Sequence, residues 1–110
     1  MDPRSPIFSL VQRVKERLEA LYGERLAGLY LYGSHARGEA SADSDIDLLV
    51  ALHGNVDAWM EGKRLVKELF DLELETEEVI SAHPVSVDRL ERADAPLLRN
   101  VRREGIAVST

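Results

Sequence analysis

Cysteine is missing from all 110 residues, which excludes disulfides and thiolate metal sites. Aromatic residues are scarce, at 5% with a single tryptophan. Basic excess is also lacking: 14 Lys and Arg stand against 20 Asp and Glu, for a formal net charge of −6. That balance disfavours broad electrostatic attachment to nucleic acid or anionic lipid. It leaves room for a phosphate-bearing ligand whose charge is offset by a cation or by local donors. No apolar run approaches the roughly 18 residues of a membrane-spanning helix, and no repeat or low-complexity tract interrupts the chain. The opening MDPRSPIF lacks the basic-then-apolar order of a secretory signal. The expectation is a cytoplasmic protein with no membrane contact.

What is present is an ordinary globular balance, 45% apolar and 31% charged. The length suits one domain over residues 1–110, burying roughly two thirds of its surface on folding. Ser5-Pro6 predicts a helix start, and Leu10, Val11, Val14, Leu18 and Leu21 follow at helical spacing up to Gly23. Leu26 to Tyr32 reads as a strand, with Gly33-Ser34 breaking it and Ser34 as the expected cap of a short helix through Arg37. After a small, polar loop from Gly38 to Ser44, Ile46 to Leu52 reads as a second, central strand.

A looser helical stripe of Trp59, Val66, Leu69 and Phe70 spans about Val56 to Leu72. For Trp59 and Met60 the expected reading is core packing, with an apolar anchor for a partner as the alternative. Val79 to Val85 is a third strand candidate, and Asp88 to Ala93 a helical turn. Pro96 to Glu104 is a helix with Leu97, Leu98 and Val101 inward and Gly105 as its stop. Ile106 to Val108 is a short last strand. The order predicts an α/β (α+β) sandwich, a short mixed sheet with helices on one face.

The chemistry concentrates in one stretch. Eleven residues after Ser34, Asp45 and Asp47 stand one residue apart at the mouth of the second strand. Residues i and i+2 of a strand share a face, and two carboxylates ~6 Å apart repel by roughly 2–3 kcal/mol at an effective dielectric of 20. A divalent cation relieves that repulsion. Mg²⁺ takes one or two carboxylates plus substrate phosphates. The alternative is a pair of solvated turn residues. Gly33 permits close backbone approach to a ligand, and Ser34 offers a hydroxyl where helix amides would meet an anion. Together these read as a nucleoside-triphosphate site. A P-loop and a G-x-G-x-x-G fingerprint are both absent, and Asp43, Asp45 and Asp47 fail as a calcium loop because Leu48 stands where glycine is needed.

GSHARG followed by SDIDLLV resembles the G-S-x-A-R-G…S-D-x-D-L signature of minimal nucleotidyltransferases of the DNA polymerase beta-like superfamily, and the tail LLRNVRREGI resembles the end of these small domains. The resemblance implies a minimal palm fold and Mg²⁺-dependent transfer of a nucleotidyl group, usually AMP from ATP, to a hydroxyl. It implies that Gly33 and Ser34 hold the triphosphate and that Asp45 and Asp47 bind a two-metal site. It also implies a small helical HEPN-domain partner in a toxin–antitoxin pair. Arg37 either reaches a phosphate or pairs with Asp43 or Asp45. His35, at the motif's variable position, reads as an exposed helix residue.

The sequence departs from the family at the third carboxylate. In EEVISAHPVSVD, Ile80 and Ala82 suit the core face, while Val79, Ser81 and His83 share the other, which carries no acid. Matching PVSVDRL to the family's post-strand segment places His83 near the acid's position. There it is a general base or metal ligand, or a solvated strand residue. Glu77 and Glu78 enter only if the register shifts. Two functions therefore compete: an active nucleotidyltransferase, and a catalytically weak module that acts by covering a partner. Nucleic-acid binding is disfavoured, since Arg99, Arg102 and Arg103 form the one basic cluster and suit a helix C-terminus.

Overall fold

The computed structural model describes residues 4–108. Ser5 caps α1 (Pro6–Tyr22), its hydroxyl accepting the Ile7 amide at 3.1 Å, with Pro6 opening the helix where a missing N–H costs nothing. Leu10, Val11, Val14, Leu18 and Tyr22 form the buried face. Tyr22 takes the place expected for Leu21, which is only partly buried. A 3₁₀ turn, Gly23–Arg25, leads into β1 (Leu26–Tyr32), followed by α2 (Ser34–Arg37), β2 (Ile46–Leu52), α3 (Ala58–Thr76), β3 (Ile80–Ser86), α4 (Val87–Arg92), α5 (Pro96–Glu104) and β4 (Ile106–Ala107).

The four strands form one mixed sheet in the order β3-β2-β1-β4. β2 runs antiparallel to β1 and parallel to β3. Strand alternation sends Ile46, Leu48, Val50 and Leu52 into the main core, which α1 and α3 cover. Leu49 and Ala51 point the other way, into a smaller cluster with Val85, Leu98 and Val101. The expected layer on one face is thus α1 and α3, and α4 and α5 add a patch on the second face. Asp47 belongs to that second face, at the start of β2, where it remains half-buried.

α3 starts two residues later than the sequence suggests, because Asp57 caps it by accepting the Trp59 and Met60 amides, both at 3.1 Å, and it runs on past Leu72 to Thr76. Its buried side chains are Glu61, Leu65, Leu69 and Leu72. The stripe of Trp59, Val66, Leu69 and Phe70 mixes two faces, and only Leu69 of the four is buried. Trp59 is 74% exposed and Phe70 56%, so core packing of Trp59 is corrected to a solvent-facing position. Leu97 is corrected likewise: Leu98 and Val101 fill the inward face of α5, and Leu97 lies off it.

A charged residue on the buried face of α3 has a specific cause. Glu61 is 5% exposed, and its carboxylate accepts from the Tyr22 hydroxyl at 2.9 Å and from Arg25 at 3.0 Å. Arg25 also donates to the carbonyl of His53, so one acid ties the end of α1, the 3₁₀ turn and the loop after β2 to α3. Burial alone would push the Glu61 carboxyl up, but the hydrogen bonds from Tyr22 and Arg25 outweigh it and hold the carboxyl below its ordinary value. A depressed carboxyl stabilises the fold above the ordinary carboxylate range, and that stabilisation is lost as pH falls through the lowered value. Glu61→Ala is expected to cost about 3 kcal/mol in urea denaturation. Its stability should also change less than the native chain's as pH falls from neutral into the acid range.

Candidate active site

β1 ends at Tyr32, and Gly33 turns the chain into α2 at φ 74°, a conformation suited to glycine. Gly38 closes α2 in a left-handed conformation (φ 74°, ψ 19°), and the Glu39 amide bonds back to the Ser34 carbonyl at 2.9 Å. The loop then tightens on itself, with Ser41 N–H donating to the Ser44 hydroxyl at 2.9 Å. This delivers Asp45 to the entrance of β2. Asp45 is exposed, whereas Asp47 lies inside the strand opposite Tyr32 of β1 and beside Ser81 of β3.

The turn and the acids meet closely. A Cβ built on Gly33 would lie 2.3 Å from Asp47 Oδ2. Only a residue without a side chain lets the Asp47 carboxylate rest there, so Gly33 is needed for both its φ and its open side. Among the described residues, no hydrogen bond or ion pair engages either carboxylate. Burial pushes the Asp47 carboxyl above its ordinary value and the Asp45 charge pushes it further, while His83, His35 and Arg37 act in the opposite sense. Asp45, His35, His83 and Arg37 thus all lie within electrostatic reach of Asp47. Tyr32 walls the site: its ring centroid is 6.4 Å from that of His83, and burial, then Asp47, push its hydroxyl up to about 12.

Several sequence expectations need correction or completion. Arg37 does not pair with Asp43 or Asp45. It bonds Glu39 at 3.2 Å and reaches Glu104, at the end of α5, at 3.8 Å. His35 is not an exposed residue: it is half-buried, and its Nε2 is buried without a hydrogen-bond partner. On β3, Ile80 and Ala82 pack against the main core as expected, and Ser81 and His83 pair in register with Asp47 and Leu49. His83 is exposed beside Asp47. Glu77 ends α3 in a left-handed conformation (φ 59°), and the Ile46 amide bonds Val79, so Glu77 and Glu78 precede the strand.

A sequence profile of the family described as "Polymerase beta, Nucleotidyltransferase" matches residues 14–110. The chain belongs to this family. Among solved structures, this nucleotidyltransferase is similar to one described as a minimal nucleotidyltransferase, at 31% identity and TM-score 0.58, with 96% of this chain and 98% of that chain covered. It shares its fold with a Sulfolobus solfataricus protein assigned to the nucleotidyltransferases, at 16% identity and TM-score 0.66, over 91% of this chain and 77% of that one. It also shares its fold with a chain of a toxin–antitoxin complex crystallised with AMP-PNP, at 19% identity and TM-score 0.64, over 93% and 72%. Among curated proteins, none matches. No helix among the described residues is long and apolar enough to cross a membrane.

Among the described residues, no group of three or more His, Asp and Glu side chains is placed to hold a metal ion. The donor chemistry nevertheless fits Mg²⁺ arriving with its nucleotide. The two acids are hard ligands that repel each other and have no protein cation bound to them, and phosphate oxygens supply the remaining positions. Asp45→Asn is expected to bring the Asp47 carboxyl down toward its ordinary value in ¹³C NMR titration of the metal-free chain, and His83→Ala to move it up. Because folding raises this carboxyl, Asp47 costs stability as pH rises through the carboxylate range, so Asp47→Asn should melt above the native chain at neutral pH in chelator. Gly33→Ala should lose more than about 1 kcal/mol, measured by urea denaturation.

Proposed function

We propose that this nucleotidyltransferase moves a nucleoside monophosphate, AMP from ATP, onto a hydroxyl of a protein or small-molecule acceptor. We further propose that it does so in the cytoplasm as the antitoxin half of a toxin–antitoxin pair, beside a small helical partner of the HEPN type. The observation that carries this reading is the seat of the Asp47 carboxylate against Gly33, with the charge of Asp45 bearing on it. A triphosphate on the Gly33-Ser34 turn would then lie beside both acids. The toxin–antitoxin structure with AMP-PNP supports the partner and the nucleotide through fold likeness.

In this reading Gly33 lets the backbone approach the phosphates. The Ser34 hydroxyl and the first amides of α2, which have no partner within the helix, donate to them. Asp45 and Asp47 hold Mg²⁺, and the ion, when bound, neutralises phosphate charge and helps align attacking and leaving oxygens. Arg37, exposed between Glu39 and Glu104, has the reach to exchange a carboxylate for the departing pyrophosphate. His83, in its neutral form, accepts the proton of the acceptor hydroxyl. The acceptor oxygen bonds to the α-phosphorus as the bond to the pyrophosphate breaks.

A second reading rests on the acid that is missing from the face shared by Ser81 and His83. In it the domain binds its partner and transfers little or nothing. Incubation with α-labelled ATP, Mg²⁺ and a candidate helical partner of the HEPN type separates the two. Label transfer to that protein, reduced at least about 100-fold in Asp45→Asn and in Asp47→Asn, is the expected result. Tight binding with no transfer would leave the covering module as the function.

A further inference from the structure

The solvent face of α3 carries more apolar surface than a helix facing only water needs. Trp59, Met60, Val66, Phe70 and Leu74 are all more than half exposed, and at helical spacing Trp59, Val66, Phe70 and Leu74 fall on one stripe. Between α3 and β3 the stripe borders a groove of about 590 Å³ whose walls include Trp59, Val66, Ala82 and Pro84. Lys63 and Lys67 line it too. Lys63 sits 5.4 Å from the Trp59 ring centroid, and among the described residues neither lysine has a carboxylate partner. Two uncompensated cations beside an apolar stripe are notable in a chain of net charge −6.

We infer that this groove docks an amphipathic helix of a partner protein, one whose apolar stripe is flanked by acidic residues. The charges select the occupant. A second copy crossing α3 antiparallel would bring the Lys63 and Lys67 of each chain toward those of the other, which repel. An acidic flank pairs with them instead. The edge of β3 selects a helix over an added strand. The outward Ile80 amide is already capped by the Glu73 carboxylate at 3.0 Å. Pro84, four residues on and so on the same edge, has no N–H to offer, and a blunted edge resists strand pairing. His83 lines the groove and also acts electrostatically on Asp47, so docking there touches a residue that bears on the acid site. Its relevance to transfer rests on the proposed function, whereas the binding itself needs neither nucleotide nor metal.

Trp59 is the single tryptophan of the chain and serves as the reporter. The probes are two synthetic helices of roughly 20 residues, each with one leucine stripe, flanked by glutamate in one and by lysine in the other. The glutamate-flanked helix should blue-shift Trp59 emission and bind at least about tenfold more tightly than the lysine-flanked one at low salt. Phe70→Asp should abolish the shift. The Lys63→Glu/Lys67→Glu variant, with its fold checked by circular dichroism, should invert the preference. Equal binding of both helices, binding of neither, or a concentration-dependent dimer of the free chain dissolved by Phe70→Asp would each overturn the inference. Loss of label transfer in the ATP assay would instead count against the catalytic reading alone.

Discussion

The Asp47 carboxylate occupies the space that any side chain on residue 33 would need. That single close approach joins two segments of different character, a turn with a positive φ and the first residues of the most buried strand. It holds because Tyr32 and Asp47 face each other across the β1–β2 ladder, and because Ile46 and Leu48 anchor the strand on either side of Asp47 from the opposite face. Its two fully buried aliphatic neighbours fix the backbone of Asp47 beside the turn. The place of Asp47 in the strand is therefore set by core packing, and the glycine turn leaves room for its carboxylate.

The arrangement costs stability in the metal-free chain. Burial and a like charge both act against the ionised Asp47, and the half-buried His35 leaves a ring nitrogen unsatisfied. An isolated fold would gain by removing both features. A site that receives a polyphosphate and its cation would retain them, since functional sites are where local rules are broken. The Glu61 cluster offers the contrast: it is also a buried acid, but it is fully answered by Tyr22 and Arg25, and it serves cohesion between α1, the turn and α3.

The sequence made β1, the glycine turn and β2 legible, because a glycine-serine break between two apolar runs and an acid pair at i and i+2 constrain local geometry strongly. The core face of β3 was legible from alternation alone. α3 was legible as a helix, but its buried face was not. It carries two apolar stripes, and the buried one contains Glu61, whose charge disguises it until the distant Tyr22 and Arg25 are seen beside it. Of the two readings of Arg37, the pairing with Asp43 or Asp45 failed for the same reason: Glu104 is brought near by tertiary structure, while Asp43 and Asp45 are merely close in sequence. α4 and α5 were legible as helical segments, but their place on the second face was not, because local periodicity does not say which face of a sheet a helix covers. The missing third acid was visible in the sequence, and the register of β3 agrees with it by setting Ser81 and His83 beside β2.

The central claim is that the Gly33-Ser34 turn and the two aspartates form one receiving surface for a metal–triphosphate. Paramagnetic broadening tests it most directly. Substoichiometric Mn²⁺ with a non-hydrolysable ATP analogue is added to the ¹⁵N-labelled chain, and amide intensities are followed. The account predicts that Gly33, Ser34 and residues 45 to 47 broaden first, while Glu61 and the α3 acids Asp71 and Glu75, which pair with Arg17 and Arg13 of α1, remain sharp. Broadening centred on those α3 acids, or spread evenly over the chain, would contradict it.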